Sequence, residues 1–252
     1  MAGMEFSELR QHLDAEYARL LGAVTIAPPD ARVPTCPDWT ATDLAHHVAT
    51  VYLHKAEAIR LGAWPDPWPP DLAGTPAPDA LDRGWSALID QLDRHQPHDP
   101  AKTWFDPDQS VGFWVRRMAH ETVIHRIDAE LAAGSESAPI EAAFGLDTVD
   151  EVLSVFVDWA SKAWPEDFQA VLTGADSRVL EIAAPARTWF VVATADGVAV
   201  GDTAPAGVAT TVRGEPDALA RWLWNRGDDG IEVAGDAALA GQFKRVLAVA
   251  TQ

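Results

Sequence analysis

The hydrophobic period of this chain changes once, near residue 170, and that change asks for two kinds of structure in one molecule. Before it, apolar residues recur at three- and four-residue steps, as in Phe6, Leu9, Leu13, Tyr17, Leu20 and Leu21, the spacing of an amphipathic helix. Pro28-Pro29 stops that first helix. Thr40 and Asp43 form a capping-box pattern that opens a second helix through about Arg60. A Pro-, Gly- and Asp-rich loop over 62–79 holds Trp64 and Trp68. Three more helices are predicted, over about 79–95, 111–133 and 140–163, the fourth ended by Gly134 and the fifth by Pro165. After the change, Val179–Ile182, Trp189–Ala193, Gly197–Val200 and Ala209–Arg213 read as strands. A helix over 217–225, a strand over 231–233 and a closing helix over 237–250 follow. The expectation is α+β with two domains, a helical one over 1–165 and a mixed one over 166–252.

Composition narrows the function. The 252 residues include 38 Asp and Glu against 19 Lys and Arg, a formal charge of −19. So negative a surface repels phosphate backbones and anionic lipid, so neither nucleic acid nor a membrane is an expected partner. Only four of the cations are lysines: Lys55, Lys102, Lys162 and Lys244. One cysteine, Cys36, excludes an internal disulfide and suits a reducing cytoplasm. No targeting segment is expected at the start, nor any apolar run of roughly 18 residues that would span a bilayer.

Chemistry concentrates in Arg117-Met-Ala-His120-Glu121-Thr-Val-Ile-His125-Arg126-Ile-Asp128. On a helix Glu121 and His125 lie about 40° apart and share a face, whereas His120 points about 100° from Glu121. Ile124 stands where a zinc-protease motif would place its second His, so the pattern is a two-ligand Glu-x-x-x-His clip. A facing helix can complete such a site, and the second helix offers His46, His47 and His54. Two His and one carboxylate suit catalytic zinc and equally non-haem iron(II). Asp128, seven residues after Glu121, shares its face and is placed to orient a ligand. Neither a Gly-x-Ser-x-Gly elbow nor a Gly-rich phosphate loop occurs.

Three ordered blocks resemble one family. Pro34-Thr-Cys-Pro-Asp-Trp39-Thr-Ala-Thr-Asp-Leu44-Ala-His-His47, then His120-Glu121-x-x-x-His125-Arg126-x-Asp128-Ala-Glu130, then Arg213-Gly214-x-Pro-x-x-Leu219-x-x-Trp222-Leu-Trp224-Asn-Arg226 with Gly235-Asp236 are similar to segments of the mycothiol-dependent maleylpyruvate isomerases, DinB/YfiT-like metalloenzymes. The resemblance implies a DinB-like four-helix bundle followed by a sterol-carrier-protein-like α+β domain. It also implies a divalent metal, zinc by preference, held by His47, Glu121 and His125. Arg226 is the counterpart of a functional Arg in the second domain, although Asn225 replaces the small Gly that usually precedes it.

The same resemblance implies mycothiol as thiol cosubstrate and a small electrophile as substrate. The outcome is isomerisation if the thiol leaves again and S-transfer if it stays. Two other classes remain open at this point: a metal-dependent hydrolase, and a non-catalytic small-molecule or lipid-binding protein.

Overall fold

A computed structural model describes residues 4–205 and 207–251. It divides into two compact units, Met1–Ala138 and Pro139–Gln252.

The first unit is a four-helix bundle: α1 (Phe6–Ile26), α2 (Ala41–Leu61), α3 (Ala77–Arg94) and α4 (Val111–Ala132). Between α1 and α2 runs a short antiparallel pair, β1 (Arg32–Val33) and β2 (Cys36–Thr40). α1 packs along α4, and α2 packs along both α3 and α4. The ends follow the local chemistry. The Thr40 hydroxyl accepts from Asp43 N at 3.2 Å while Thr40 N donates to Asp43 Oδ2 at 2.9 Å, the expected capping box. Past α4, Gly134 turns left-handed at φ 73°, and Gly134 N and Ser135 N donate to the carbonyls of Leu131 and Glu130. α2 and α3 approach closely because Gly84 has no side chain: a Cβ there would lie 2.6 Å from the Ala49 carbonyl oxygen.

The core draws on Leu13 and Leu20 of α1, Leu44 and Tyr52 of α2, Leu81 and Leu88 of α3, and Trp114, Met118 and Ile124 of α4. α4 is buried on every side although its sequence is not apolar; Arg117, His120, His125, Arg126 and Asp128 are all buried. Arg126, fully enclosed, shows how this is tolerated. Its Nε donates to Glu16 Oε2 of α1 at 2.7 Å, and its Nη1 donates to Glu130 Oε2 at 2.8 Å and to the Ala138 carbonyl at 2.5 Å.

The second unit begins with α5 (Ala142–Glu151), which continues as a π-helical stretch, Val152–Trp159, and α6 (Ala160–Ala163). α7 (Pro165–Leu172) follows, then β3 (Val179–Ala184), β4 (Arg187–Thr194), β5 (Gly197–Gly201), β6 (Val208–Arg213), α8 (Pro216–Leu223), β7 (Glu232–Gly235) and α9 (Ala237–Ala250). The strands form one sheet in the order β5-β4-β3-β6-β7, with β3 and β6 parallel and the other neighbours antiparallel. The edge strand β5 is closed by the helix beside it: Val198 N donates to Ser161 Oγ at 2.9 Å and Val200 N to Asp158 Oδ2 at 2.8 Å.

Two expectations need correction. The domain boundary falls between Ala138 and Pro139, not at 165. The helix expected over about 140–163 was assigned to the bundle, yet α5 packs on α8 and the π-helical stretch on β5. Periodicity identifies a buried face without saying which core receives it. Pro165, expected only as a helix stop, also begins α7, where its missing N–H costs nothing.

Arg126→Leu should lower unfolding free energy by about 3–5 kcal/mol, because buried Glu16 would keep only its longer contact to Arg19 at 3.6 Å. Denaturant titration measures it; a loss below about 1 kcal/mol would show that the Arg126 network is not what holds α1 to α4.

Candidate metal centre

α2 and α4 bring together the three residues of the expected ligand set. His47 Nε2 lies 3.4 Å from Glu121 Oε1, and His125 Nε2 lies 3.2 Å from the same oxygen. One ligand atom from each of the three falls within 4.8 Å of the others. Ligands at 2.0–2.1 Å around a tetrahedral ion stand about 3.3 Å apart, so the two measured edges fit a metal of that kind. The carboxylate is divided between two tasks. Its Oε1 faces the imidazoles, while Oε2 accepts from Arg117 Nη2, one turn back along α4.

His125 is held in one orientation. Its Nδ1 is 2.9 Å from Asp128 Oδ2, and Thr35 Oγ1 donates to Asp128 Oδ1 at 2.5 Å. With Nδ1–H given to Asp128, Nε2 is the nitrogen left with a lone pair for a metal. Asp128 thus joins His125 to Thr35. Trp39 stands over the site, its ring 4.7 Å from that of His47 and 6.2 Å from that of His125. Outward of His47, an open depression is lined by Asp38, Trp39, Asp43, His46, His47 and Thr50. The site thus has a closed side at Asp128, which is fully buried, and an accessible side at His47, whose side chain is 37% exposed.

Electrostatics follow from this packing. Burial works to raise the Glu121 carboxyl, but His125 and Arg117 outweigh it and hold the group well below the usual carboxylate range. Burial works against charge on His125 too, and Glu121 and Asp128 overcome it, pushing the imidazole up to about 9. Without a metal, the site keeps a proton in the place that the ion would take.

The other histidines are engaged elsewhere. His46 Nε2 meets the Thr75 carbonyl at 2.9 Å, which ties α2 to the loop before α3. His54 lies between Trp64 and Trp68, at ring distances of 5.4 and 5.0 Å. Burial and the neighbouring Lys55 push it down to about 4. His120 is fully buried and outside the three-residue group.

Arg226, the expected functional residue of the second unit, follows α8. Asn225 adopts φ 59°, and Arg226 N and Asn225 N donate to the carbonyls of Arg221 and Trp222. This is the left-handed helix ending that glycine favours and asparagine tolerates, so Asn225 in place of Gly leaves the turn intact. The Arg226 Nη1 donates to the Trp224 carbonyl at 2.7 Å.

Sequence reasoning assigned no role to Arg117, Thr35 or Trp39. The i,i+4 spacing of Arg117 and Glu121 was a readable signal for the first. Thr35 and Trp39 reach the site through the β1–β2 pair, and Pro34-Thr35-Cys36-Pro37 reads locally as a loop.

Comparison with known proteins agrees with this picture. The sequence model of the mycothiol maleylpyruvate isomerase N-terminal domain matches residues 10–130, and that of the C-terminal domain of the same enzyme matches residues 143–242. No curated protein matches in sequence. Among solved structures, the mycothiol-dependent maleylpyruvate isomerase aligns over 93% of this chain and 96% of its own, with 13% identity and a TM-score of 0.62. A histidine variant of that enzyme aligns over the same shares with 12% identity and a TM-score of 0.62. At these identities the likeness is one of fold. A UbiJ-SCP2 ubiquinone synthesis protein aligns over 42% of the chain with 18% identity, at a TM-score of 0.34 too slight to bear on the fold. Both domain models, matched in order over most of the chain, place this protein in the mycothiol-dependent maleylpyruvate isomerase family.

Proposed function

We propose that this chain is a metal-dependent enzyme that takes mycothiol as cosubstrate and acts on a small electrophile, by isomerisation or S-transfer. The observation that carries the reading is the convergence of His47 Nε2, Glu121 Oε1 and His125 Nε2 at an accessible edge of the bundle. Three protein ligands leave room for a further one, as in catalytic rather than structural zinc sites. A divalent ion held there, zinc by preference, would favour the thiolate over the thiol of a bound cosubstrate at neutral pH. The named family supports mycothiol as that thiol, and a thiol cosubstrate with a single cysteine suits a cytoplasmic setting.

The residues of the chain divide the work. Arg117 holds one oxygen of Glu121 and leaves the other free for the metal. Thr35 and Asp128 fix the tautomer and the plane of His125. Trp39 packs against the His47 ring and lines the open depression beside it. Arg226 is our candidate for binding an anionic group of thiol or substrate, a charge-assisted contact worth about 1.5–3 kcal/mol.

Elemental analysis of His47→Ala, Glu121→Ala and His125→Ala should show metal falling well below one per chain, while His46→Ala keeps it. Full metal in the first three variants would refute the ligand set. Because His125 binds a proton up to about pH 9, the metal must displace it. Apparent metal affinity should therefore climb about tenfold per unit as pH rises from 7 toward 9, then level off; a flat profile would show that His125 is not protonated or not a ligand.

Calorimetry should detect mycothiol binding to the metal-loaded protein. Turnover that needs no thiol would instead indicate a metal-dependent hydrolase. Arg226→Ala should slow turnover ten- to a hundredfold (roughly 1.4–2.7 kcal/mol) with metal content unchanged; unchanged thiol affinity and rate would remove Arg226 from the site.

A further inference from the structure

The accessible side of the metal centre has a hydrogen-bonding character of its own. The depression outward of His47 has a volume of about 610 Å³, within the roughly 300–1,000 Å³ of small-molecule sites. Besides His47 and Trp39, it is lined by Asp38 of β2 and by Asp43, His46 and Thr50, which share one face of α2. None of these four is in the ligand set, and each has its polar protons already committed or has none.

The Thr50 hydroxyl donates to the His46 carbonyl at 2.7 Å, so its oxygen has only lone pairs left to offer. A carbonyl can only accept, so His46 gives its Nε2 proton to Thr75 at 2.9 Å, and Nδ1 of the neutral ring carries a lone pair. Asp43 Oδ2 accepts from the Thr40 N–H at 2.9 Å and from its hydroxyl at 2.7 Å. Those bonds hold the carboxyl below its usual range, hence ionised, and Oδ1 takes no donor from a described residue. The exposed Asp38 carboxylate also takes none; Arg32 Nη1 reaches only the Asp38 carbonyl, at 3.2 Å.

Four side chains thus offer acceptors and no proton, and such a wall selects a donor. An anion would meet lone pairs and like charge there. A single ammonium could answer one carboxylate, but the acceptors are spread out: Asp43 and Thr50 alone stand about 10 Å apart along the axis of α2. Trp39, partly exposed, adds an indole surface between the strand and the helix. Several hydroxyls carried on one ring match both the spread and the indole.

We propose that this depression receives an uncharged, hydroxyl-rich ring of the ligand that reaches the metal, a pyranoside in size and chemistry, with Asp38 as the specificity-determining residue and Trp39 as the surface the ring lies against. The proposal deepens the reading above and rests on it only for the other end of the ligand.

Methyl β-D-glucopyranoside is the probe. Its fully O-methylated derivative, which keeps the ring and has no hydroxyl proton, is the control. Ligand-observed NMR on the intact, metal-loaded protein should show saturable binding of the glucoside below about 20 mM, and binding of the O-methylated ring at least about tenfold weaker. Asp38→Asn should weaken the glucoside at least about fivefold and narrow the difference between the two rings. Trp39→Ala should weaken both rings; Asp38→Asn, at an exposed position, keeps the test informative if that variant does not fold. Stripping the metal should leave glucoside binding unchanged, because none of the four acceptors holds the ion, so a wrong metal assignment would not imitate a failure here. The proposal is overturned if the glucoside does not saturate by about 100 mM, if the O-methylated ring binds as well, or if Asp38→Asn leaves the preference as it is. Loss of binding on stripping the metal would place the ring on the ion and overturn it too. So would tighter binding of ethylammonium than of the glucoside, which would make the depression a cation site.

Discussion

The structure of the first unit depends on one buried helix that is full of charge. α4 is surrounded on all sides, and such a helix is normally apolar all round. Here Arg117, Glu121, His125 and Asp128 run along one face and Arg126 and Glu130 along another. An unpaired charge in that position would be expelled or neutralised, so every one of these groups must find its partner as the bundle closes. Their partners come from α1, from the β1–β2 pair and from the chain leaving α4. The pairing therefore fixes how these pieces sit, and the apolar contacts of Leu13, Met118 and Ile124 supply the driving force.

The two faces of α4 do different work. On the Arg126 face every charge is answered within the protein, and the result is a clamp on Glu16, Glu130 and Ala138. On the Glu121 face the ladder runs from Arg117 through Glu121 and His125 to Asp128 and Thr35, and one carboxylate oxygen is shared by two imidazoles. That oxygen and the two Nε2 atoms are the only part of the ladder whose charge balance changes with occupancy: in the absence of a cation, a proton takes its place.

Much of this was readable from the residues. The capping box of Thr40 and Asp43, the helix end at Gly134 and the strands after residue 178 follow from local rules, and the structure has them. The Glu-x-x-x-His clip was readable because helical spacing alone puts Glu121 and His125 on one face. Spacing does not separate His47 from His46 and His54; the fold gathers His47 with Glu121 and His125, and sends His46 to Thr75 and His54 to the tryptophans. The allegiance of helix 142–163 was hidden for a related reason: its apolar face reads the same whichever core it joins. The π-helical turns at Val152–Trp159 were hidden too, since a run of Val, Leu and Phe does not announce a wider turn.

One consequence of burying the ladder concerns the medium around the protein. Dissolved ions weaken attractions between charges that face water, over about 8–10 Å at ordinary ionic strength, and act far less on pairs sealed from it. The net charge of −19 sits mainly outside, where acidic groups repel one another. Added salt quiets that repulsion and hardly reaches Arg117, Asp128 or Arg126. A saline solution thus relieves the exterior of this molecule while the bonds that define its interior stay as they are, an arrangement suited to brine as well as to dilute buffer.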